Sequence, residues 1–248
     1  MEQESPHDIG TTAVEPVGEQ IQRRRATRRL LRAEVFYLLG LVGFAVLAAF
    51  AYFNAYFGWD LRASRAVQSI PLPGIEALMT ATSLFGNEGI PYVLTAITAG
   101  IFLIFRRRSE AAGLVVSTAG SAILNGTLKA LIARPRPTSD LVNVVFDLPS
   151  LSFPSGHVTF YVSYFGFLFF VAYALLRRGS LVRRLALTLS ALPVLLVGFS
   201  RVYLGAHWPS DTLGAYLIGG VWLGLSLHLY RYWKQRATFK AKAEGGKG

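Results

Sequence analysis

Apolar residues are not spread evenly along this chain. They gather into stretches of about 17–23 residues almost free of charge, a length that crosses a bilayer. Six stand out, at 35–57, 89–105, 111–132, 157–176, 185–203 and 212–230. The first (VFYLLGLVGFAVLAAFAYFNAYF) and the fourth (HVTFYVSYFGFLFFVAYALL) are the most apolar. The third carries Ser117, Thr118, Ser121, Asn125, Thr127 and Lys129, which face other helices or a cavity rather than lipid. Residues 58–88 are expected as an outer loop with one or two short interfacial helices (LRASRAVQSI, then GIEALMTATSLF). Residues 133–156 are rich in proline and serine and too long for a mere connector. The expected fold is all-α: a polytopic membrane protein with six transmembrane helices, its core at 33–233.

Composition agrees. The chain is 52% hydrophobic and 16% charged, against about 25% charged in a soluble domain, and its mean hydropathy is +0.41. An ordinary soluble domain, a coiled coil and a disordered chain are excluded. With no cysteine, so are disulfides, thiolate zinc sites and cysteine nucleophiles.

The net charge of +11 matters less than where the charges fall. Arg23 to Arg32 precede the first span, Arg106 to Arg108 join the second and third, and Arg177 to Arg184 join the fourth and fifth. Arg231, Lys234, Arg236, Lys240, Lys242 and Lys247 follow the sixth, so nineteen of the 25 basic residues share one face. The positive-inside rule makes that face cytoplasmic, with both termini inside, and no nucleic-acid partner is expected. Residues 1–32 are expected as a disordered, then basic, cytoplasmic tail, and 234–248 as a basic one. A cleaved signal peptide is not expected, because more than 30 residues precede the first apolar run. The other six basic residues are Arg62, Arg65, Lys129, Arg134, Arg136 and Arg201. Arg62 and Arg65 read as headgroup anchors; topology gives no reason for the rest.

Three segments bring chemistry to that opposite face: Lys129 to Pro137, Ser152 to His157, and Ser200 to Asp211. Cations converging without matching acids make an anion site, and guanidinium forks suit phosphate oxygens. Pro154-Ser155-Gly156 before a helix offers backbone N–H groups and a helix dipole to the same anion. Phosphate binding alone needs no histidine. His207 and Asp211, four apart, let the carboxylate hold one ring nitrogen and leave the other free to attack. His157 beside the cradle could protonate a leaving oxygen. These are the parts of phosphoryl transfer through a covalent intermediate. Each signal alone has a plainer explanation, as a helix start, a local hydrogen bond or an interfacial residue; their coincidence on one face carries the argument.

The three segments resemble the three-part signature of the type 2 phosphatidic acid phosphatase superfamily. K-x6-R-P fits Lys129 through Arg136-Pro137, P-S-G-H fits Pro154 to His157, and S-R-x5-H-x3-D fits Ser200-Arg201, His207 and Asp211. The resemblance spans about residues 35–230. It implies that His207 attacks phosphorus and becomes phosphohistidine, Asp211 orients it, and His157 protonates the leaving oxygen and then activates water. It also implies that Lys129, Arg136, Ser155, Gly156 and Arg201 bind the phosphate. Arg134 lies outside the signature and is expected to make a supporting contact only. No metal and no cofactor are expected. The implied protein is a lipid phosphatase in the cell membrane, its site on the extracytoplasmic (periplasmic) side. Its partners would be membrane lipids and a lipid phosphate such as undecaprenyl diphosphate, phosphatidic acid or phosphatidylglycerophosphate. A lipid phosphotransferase on the same core and a non-enzymatic anionic-lipid transporter stay open.

Overall fold

The backbone of residues 17–146 and 148–245, and the side chains of residues 34–146 and 148–236, are described by a computed structural model. Of the tails expected at 1–32 and 234–248, residues 1–16 and 246–248 lie outside the described residues, while 17–32 and 234–245 are helical backbone. The chain divides into two units, residues 1–39 and 40–248. Helix α1 runs Val17–Phe53. Within the first unit Phe36 and Tyr37 meet edge-on, ring centroids 6.1 Å apart.

Beyond α1 come α2 (Gly58–Gln68), α3 (Ile75–Ser83), a single tight turn at Leu84–Gly86, α4 (Ile90–Ile104), α5 (Arg108–Ile132), α6 (Gly156–Leu175), α7 (Leu181–Tyr203) and α8 (Pro209–Gly245). The described residues form no strand. The two short segments expected between the first and second spans are helical, as α2 and α3. Among the described residues, five helices are long and apolar enough to span a membrane. The expected second span differs. α4 has 15 residues, about 22 Å of helix, short of a bilayer core of about 30 Å. It reaches spanning length only with Ile75–Gly86, from which it is bent by 62°.

Local chemistry explains the breaks. α5 stops where Ala133 turns left-handed (φ 51), and Pro135 and Pro137 bar its continuation. α7 opens on Ser180, whose hydroxyl accepts from Arg183 N at 3.2 Å. Pro193 interrupts its ladder; one turn on, the Tyr216 hydroxyl enters it, donating to Val194 O at 2.5 Å and accepting from Gly198 N at 3.1 Å. α8 opens on Pro209, which suits a first helical position.

α6 is the central element, packed against α5, α7 and α8, with Val158, Tyr161 and Phe167 in the main core beside Leu114 of α5 and Val197 of α7. α5 and α8 close up at Gly120, where a Cβ would fall 2.0 Å from the Trp222 ring, and Trp222 Nε1 donates to Ser117 O at 2.8 Å. Ser117 in turn donates to Ser163 O at 2.9 Å, and Thr118, Ser121 and Asn125 are buried with it. Thr127 departs from the expected inward face, being exposed and donating to Ile123 O of its own helix.

Candidate active site

Four helix ends meet at one end of the bundle: the close of α5, the start of α6, the close of α7 and the start of α8. Backbone bonds lock them. Ser155 N donates to Asp211 O at 3.2 Å, and Ser152 N to Arg134 O at 2.8 Å. After α7 the chain curls over Arg201, whose carbonyl accepts from Ala206 N and His207 N. The curl needs Gly205: its φ is +66, and a Cβ would fall 2.1 Å from Asn143 O.

His207 sits just before α8 and is 1% exposed. Its Nε2 faces Arg136 Nη1 at 3.2 Å. A guanidinium can only donate, so Nε2 carries the lone pair and the proton lies on Nδ1. Nδ1 faces Asp211 Oδ2 at 3.5 Å and Ser152 Oγ at 3.4 Å. The expected carboxylate–imidazole contact is therefore in register but longer than a tight hydrogen bond, as is common before substrate closes a site. The short bonds of Asp211 go elsewhere: Oδ1 accepts from Arg134 Nη1 at 2.5 Å, and Oδ2 from Ser152 Oγ at 2.5 Å and Trp208 N at 2.8 Å. Burial first, then the charges of Arg136, Lys129 and Arg201, push the His207 imidazole well below its ordinary pKa. It is neutral at neutral pH, the state a nucleophile needs.

Arg136 is anchored by donating to Ser150 O, Ser150 Oγ and Ala206 O, which points its fork at His207. Lys129 Nζ donates to Leu151 O. These two cations line a cavity of about 620 Å³ with Gly156, His157 and His207. Away from them its wall is formed by Thr95 and Ala96 of α4 and Ala119 and Ala122 of α5. Arg201 opens on a neighbouring cavity of about 1000 Å³, walled by Val93, Leu94 and Ile97 of α4. His157 borders both. Its Nε2 meets Asn87 Oδ1 at 2.8 Å, and Gly86 lies flat against its ring.

Two buried donors point to a missing acceptor. Ser155 Oγ and Arg201 Nε have no hydrogen-bond partner among the described residues. A buried polar group left unpaired costs about 1–3 kcal/mol, which an acceptor on either would recover.

Every residue expected at the site is thus at this end of the bundle. Arg134, expected to make a supporting contact only, lines neither cavity and lies buried behind Asp211. Ser155 and Asp211 are likewise buried behind the cavity walls rather than lining them. Spacing did not single out Ser152, Asn87, Ser83, which accepts from Arg201 Nη1 at 3.0 Å, or Asp60. Ser152 alone carried a signal, adjoining the P-S-G-H run.

The chain is similar to known proteins. The family model described as the PAP2 superfamily matches residues 110–235. Phosphatidylglycerophosphatase B of Bacillus subtilis is 28% identical over 179 residues, 71% of this chain and 85% of that protein. Decaprenylphosphoryl-5-phosphoribose phosphatase of Mycobacterium tuberculosis is 34% identical over 163 residues, 62% of this chain and 81% of that protein. The crystal structure of a transmembrane PAP2 type phosphatidylglycerolphosphate phosphatase from Bacillus subtilis superposes with a TM-score of 0.67 at 26% identity, covering 79% of this chain and 96% of that one.

Proposed function

The chain belongs to the PAP2 superfamily, and we propose that this multi-span membrane phosphatase hydrolyses a lipid phosphomonoester or diphosphate at the extracytoplasmic face through a phosphohistidine on His207. The observation that carries the proposal is the His207 imidazole. It is buried and neutral, backed at Nδ1 by Asp211 and Ser152, and aimed at Nε2 into a cationic cavity.

A lipid phosphate on Lys129 and Arg136, with its oxygens on Ser155 Oγ, the Gly156 N–H and Arg201, presents phosphorus to Nε2. The Nε2 lone pair forms the N–P bond as the bond to the leaving oxygen breaks. His157 gives that oxygen its proton. Charge grows on the equatorial oxygens, where fixed donors stabilise it without reorganisation. The imidazole turns cationic as it attacks, and Asp211 supports that charge at Nδ1. In the second step His157 takes a proton from water, the water oxygen attacks phosphorus, the P–N bond breaks and inorganic phosphate leaves. The cavity has a cationic end and an apolar wall that includes Tyr92 and Ala96 of α4, Val115 and Ala119 of α5 and Phe160 of α6, the chemistry of a headgroup with a chain beside it.

The outer-face assignment rests on charge. The site occupies the ends of α5, α6, α7 and α8 that point away from Arg106–Arg108 and from Arg177 to Arg184. Relatives are named for both glycerophospholipid and polyprenyl phosphates, so the assay offers both.

The test is phosphate release by the purified chain in micelles with EDTA, on undecaprenyl diphosphate, phosphatidic acid and phosphatidylglycerophosphate, beside His207→Ala. Release by wild type alone, with an acid-labile, alkali-stable phosphoenzyme trapped during turnover, supports the proposal. Turnover by His207→Ala refutes the nucleophile.

A further inference from the structure

Behind the nucleophile lies a charge cluster whose far member, Asp60, comes from α2 and stands 151 positions before Asp211 in the chain. Asp60 is fully buried. Its Oδ2 accepts from Arg134 Nη2 at 2.9 Å, from Ser210 Oγ at 2.7 Å and from Phe57 N at 3.1 Å. Its Oδ1 accepts from Ser210 N at 2.9 Å. Arg134 is held as firmly. Nε donates to Asn54 O at 3.3 Å and Ala55 O at 3.1 Å, Nη1 donates to Ser210 Oγ at 2.7 Å and to Asp211 Oδ1 at 2.5 Å, and its plane lies over the Phe57 ring at 4.7 Å. All three guanidinium nitrogens are committed, which takes Arg134 out of the set that could bind phosphate.

The charges explain why two acids flank one arginine. Arg134 paired with Asp211 alone would make a neutral couple and cancel the field that His207 needs as its imidazole turns cationic. Asp60 gives the cluster a net charge of −1, with its active end at Asp211 Oδ2, on the side of Nδ1. In a dry site such a charge acts far more strongly than in water. The bonding acts in the same direction, because Arg134 occupies Oδ1 and keeps Oδ2, which also accepts from Ser152 Oγ and Trp208 N, on the side of the imidazole. We infer that Asp60 is a positioning residue for phosphoryl transfer, acting through Arg134 to hold Asp211 in place and to restore the negative charge that Arg134 cancels. The inference rests on His207 being the nucleophile.

Asp60→Asn tests it, because asparagine keeps the shape and an acceptor for Ser210 N but loses the charge. Purified full-length variants in micelles would be assayed for kcat and KM on a lipid phosphate, for phosphoenzyme formation by rapid quench, and for pH dependence. His207 is also faced by Lys129 of α5, Arg136 beyond it, His157 of α6, Arg201 of α7 and Asp211 of α8. These stay in place, so a change in the acid limb reports Asp60. With one negative charge gone, protonated His207 is less favoured and the limb moves to lower pH. The expected result is a loss of about 10–100-fold in kcat and in phosphoenzyme formation, with KM within about twofold and the limb moved. Asp60→Glu, which keeps the charge, retains the wild-type limb.

A staple between α2 and α8 would lower the melting temperature or the active fraction only. A wild-type kcat per trapped site and an unmoved limb in Asp60→Asn therefore overturn the inference. If that variant is not recovered folded, Arg134→Lys decides, since an ammonium cannot hold both carboxylates in the same geometry; unchanged kcat there overturns it. An inactive His207→Ala beside an unaltered Asp60→Asn overturns this inference alone. An active His207→Ala overturns the nucleophile and this inference with it.

Discussion

Gly86 offers a way to displace the proposed acid without changing its chemistry. A Cβ at that position would lie 2.3 Å from Cδ2 and 2.7 Å from Cγ of His157, where ordinary contact begins at 3.4 Å. Alanine must therefore push the imidazole by about 1 Å, away from its bond to Asn87. A displacement of that size at a reacting group costs about 10²-fold, or about 2.7 kcal/mol of barrier. The loss should depend on the leaving group. A lipid alcohol or phosphate oxygen needs its proton as the bond breaks; a nitrophenolate does not. Rapid-quench assays with Gly86→Ala should show slow phosphoenzyme formation from a lipid phosphate. A nitrophenyl phosphate should give nearly normal formation followed by slow breakdown, because His157 must still activate water. Gly100→Ala, at an α4 position with nothing within 4 Å, is the control and should match wild type. Equal losses on both substrates, or wild-type rates on both, would refute His157 as the acid.

Three further outcomes are expected. His207 is held below its ordinary pKa by burial and by Arg136, Lys129 and Arg201. Its neutral form therefore survives as pH falls through about 6.5, and kcat/KM, corrected for substrate ionisation, should decline only at more acid pH; a limb at or above that value contradicts the geometry. Arg201→Lys keeps the charge but loses the fork and the buried Nε, so vanadate and substrate should bind roughly 10–100-fold more weakly, from the value of hydrogen bonds to charged groups; inhibition and KM measurements check this. Gly120→Ala drives a methyl into Trp222 and should lower stability by about 1–3 kcal/mol, read as a drop in the melting temperature in detergent.

The long spans, the helical character of the two short segments and the cationic and imidazole residues were legible because each leaves a one-dimensional mark. Twenty apolar residues must span or be buried, and a lysine, an arginine or a histidine beyond a span end is conspicuous. Two things were not legible. One is the geometry of α4. Residues 89–105 are apolar enough for a span, yet the helix is only 15 residues long, because its start is fixed by the turn that delivers Gly86 and Asn87 to His157. Hydropathy measures composition and has no access to that demand.

The other is the company kept by Asp211. Spacing placed it one helical turn from His207, and the structure does so too, but at 3.5 Å, with its short bonds to Arg134, Ser152 and Trp208 N. An aspartate in the first turn of a short helix, as Asp60 is, reads as a partner for the helix dipole, and an asparagine or serine in a loop reads as turn chemistry. Such local uses account for these residues fully until the fold is known. What separates Asp60 from an ordinary helix-start acid is complete burial against an arginine 74 positions away. Arg134 bonds both carboxylates at once, and a buried charge with its partner removed is strongly destabilising. The arginine that the signature leaves out is therefore the residue through which the rest of the fold reaches the nucleophile.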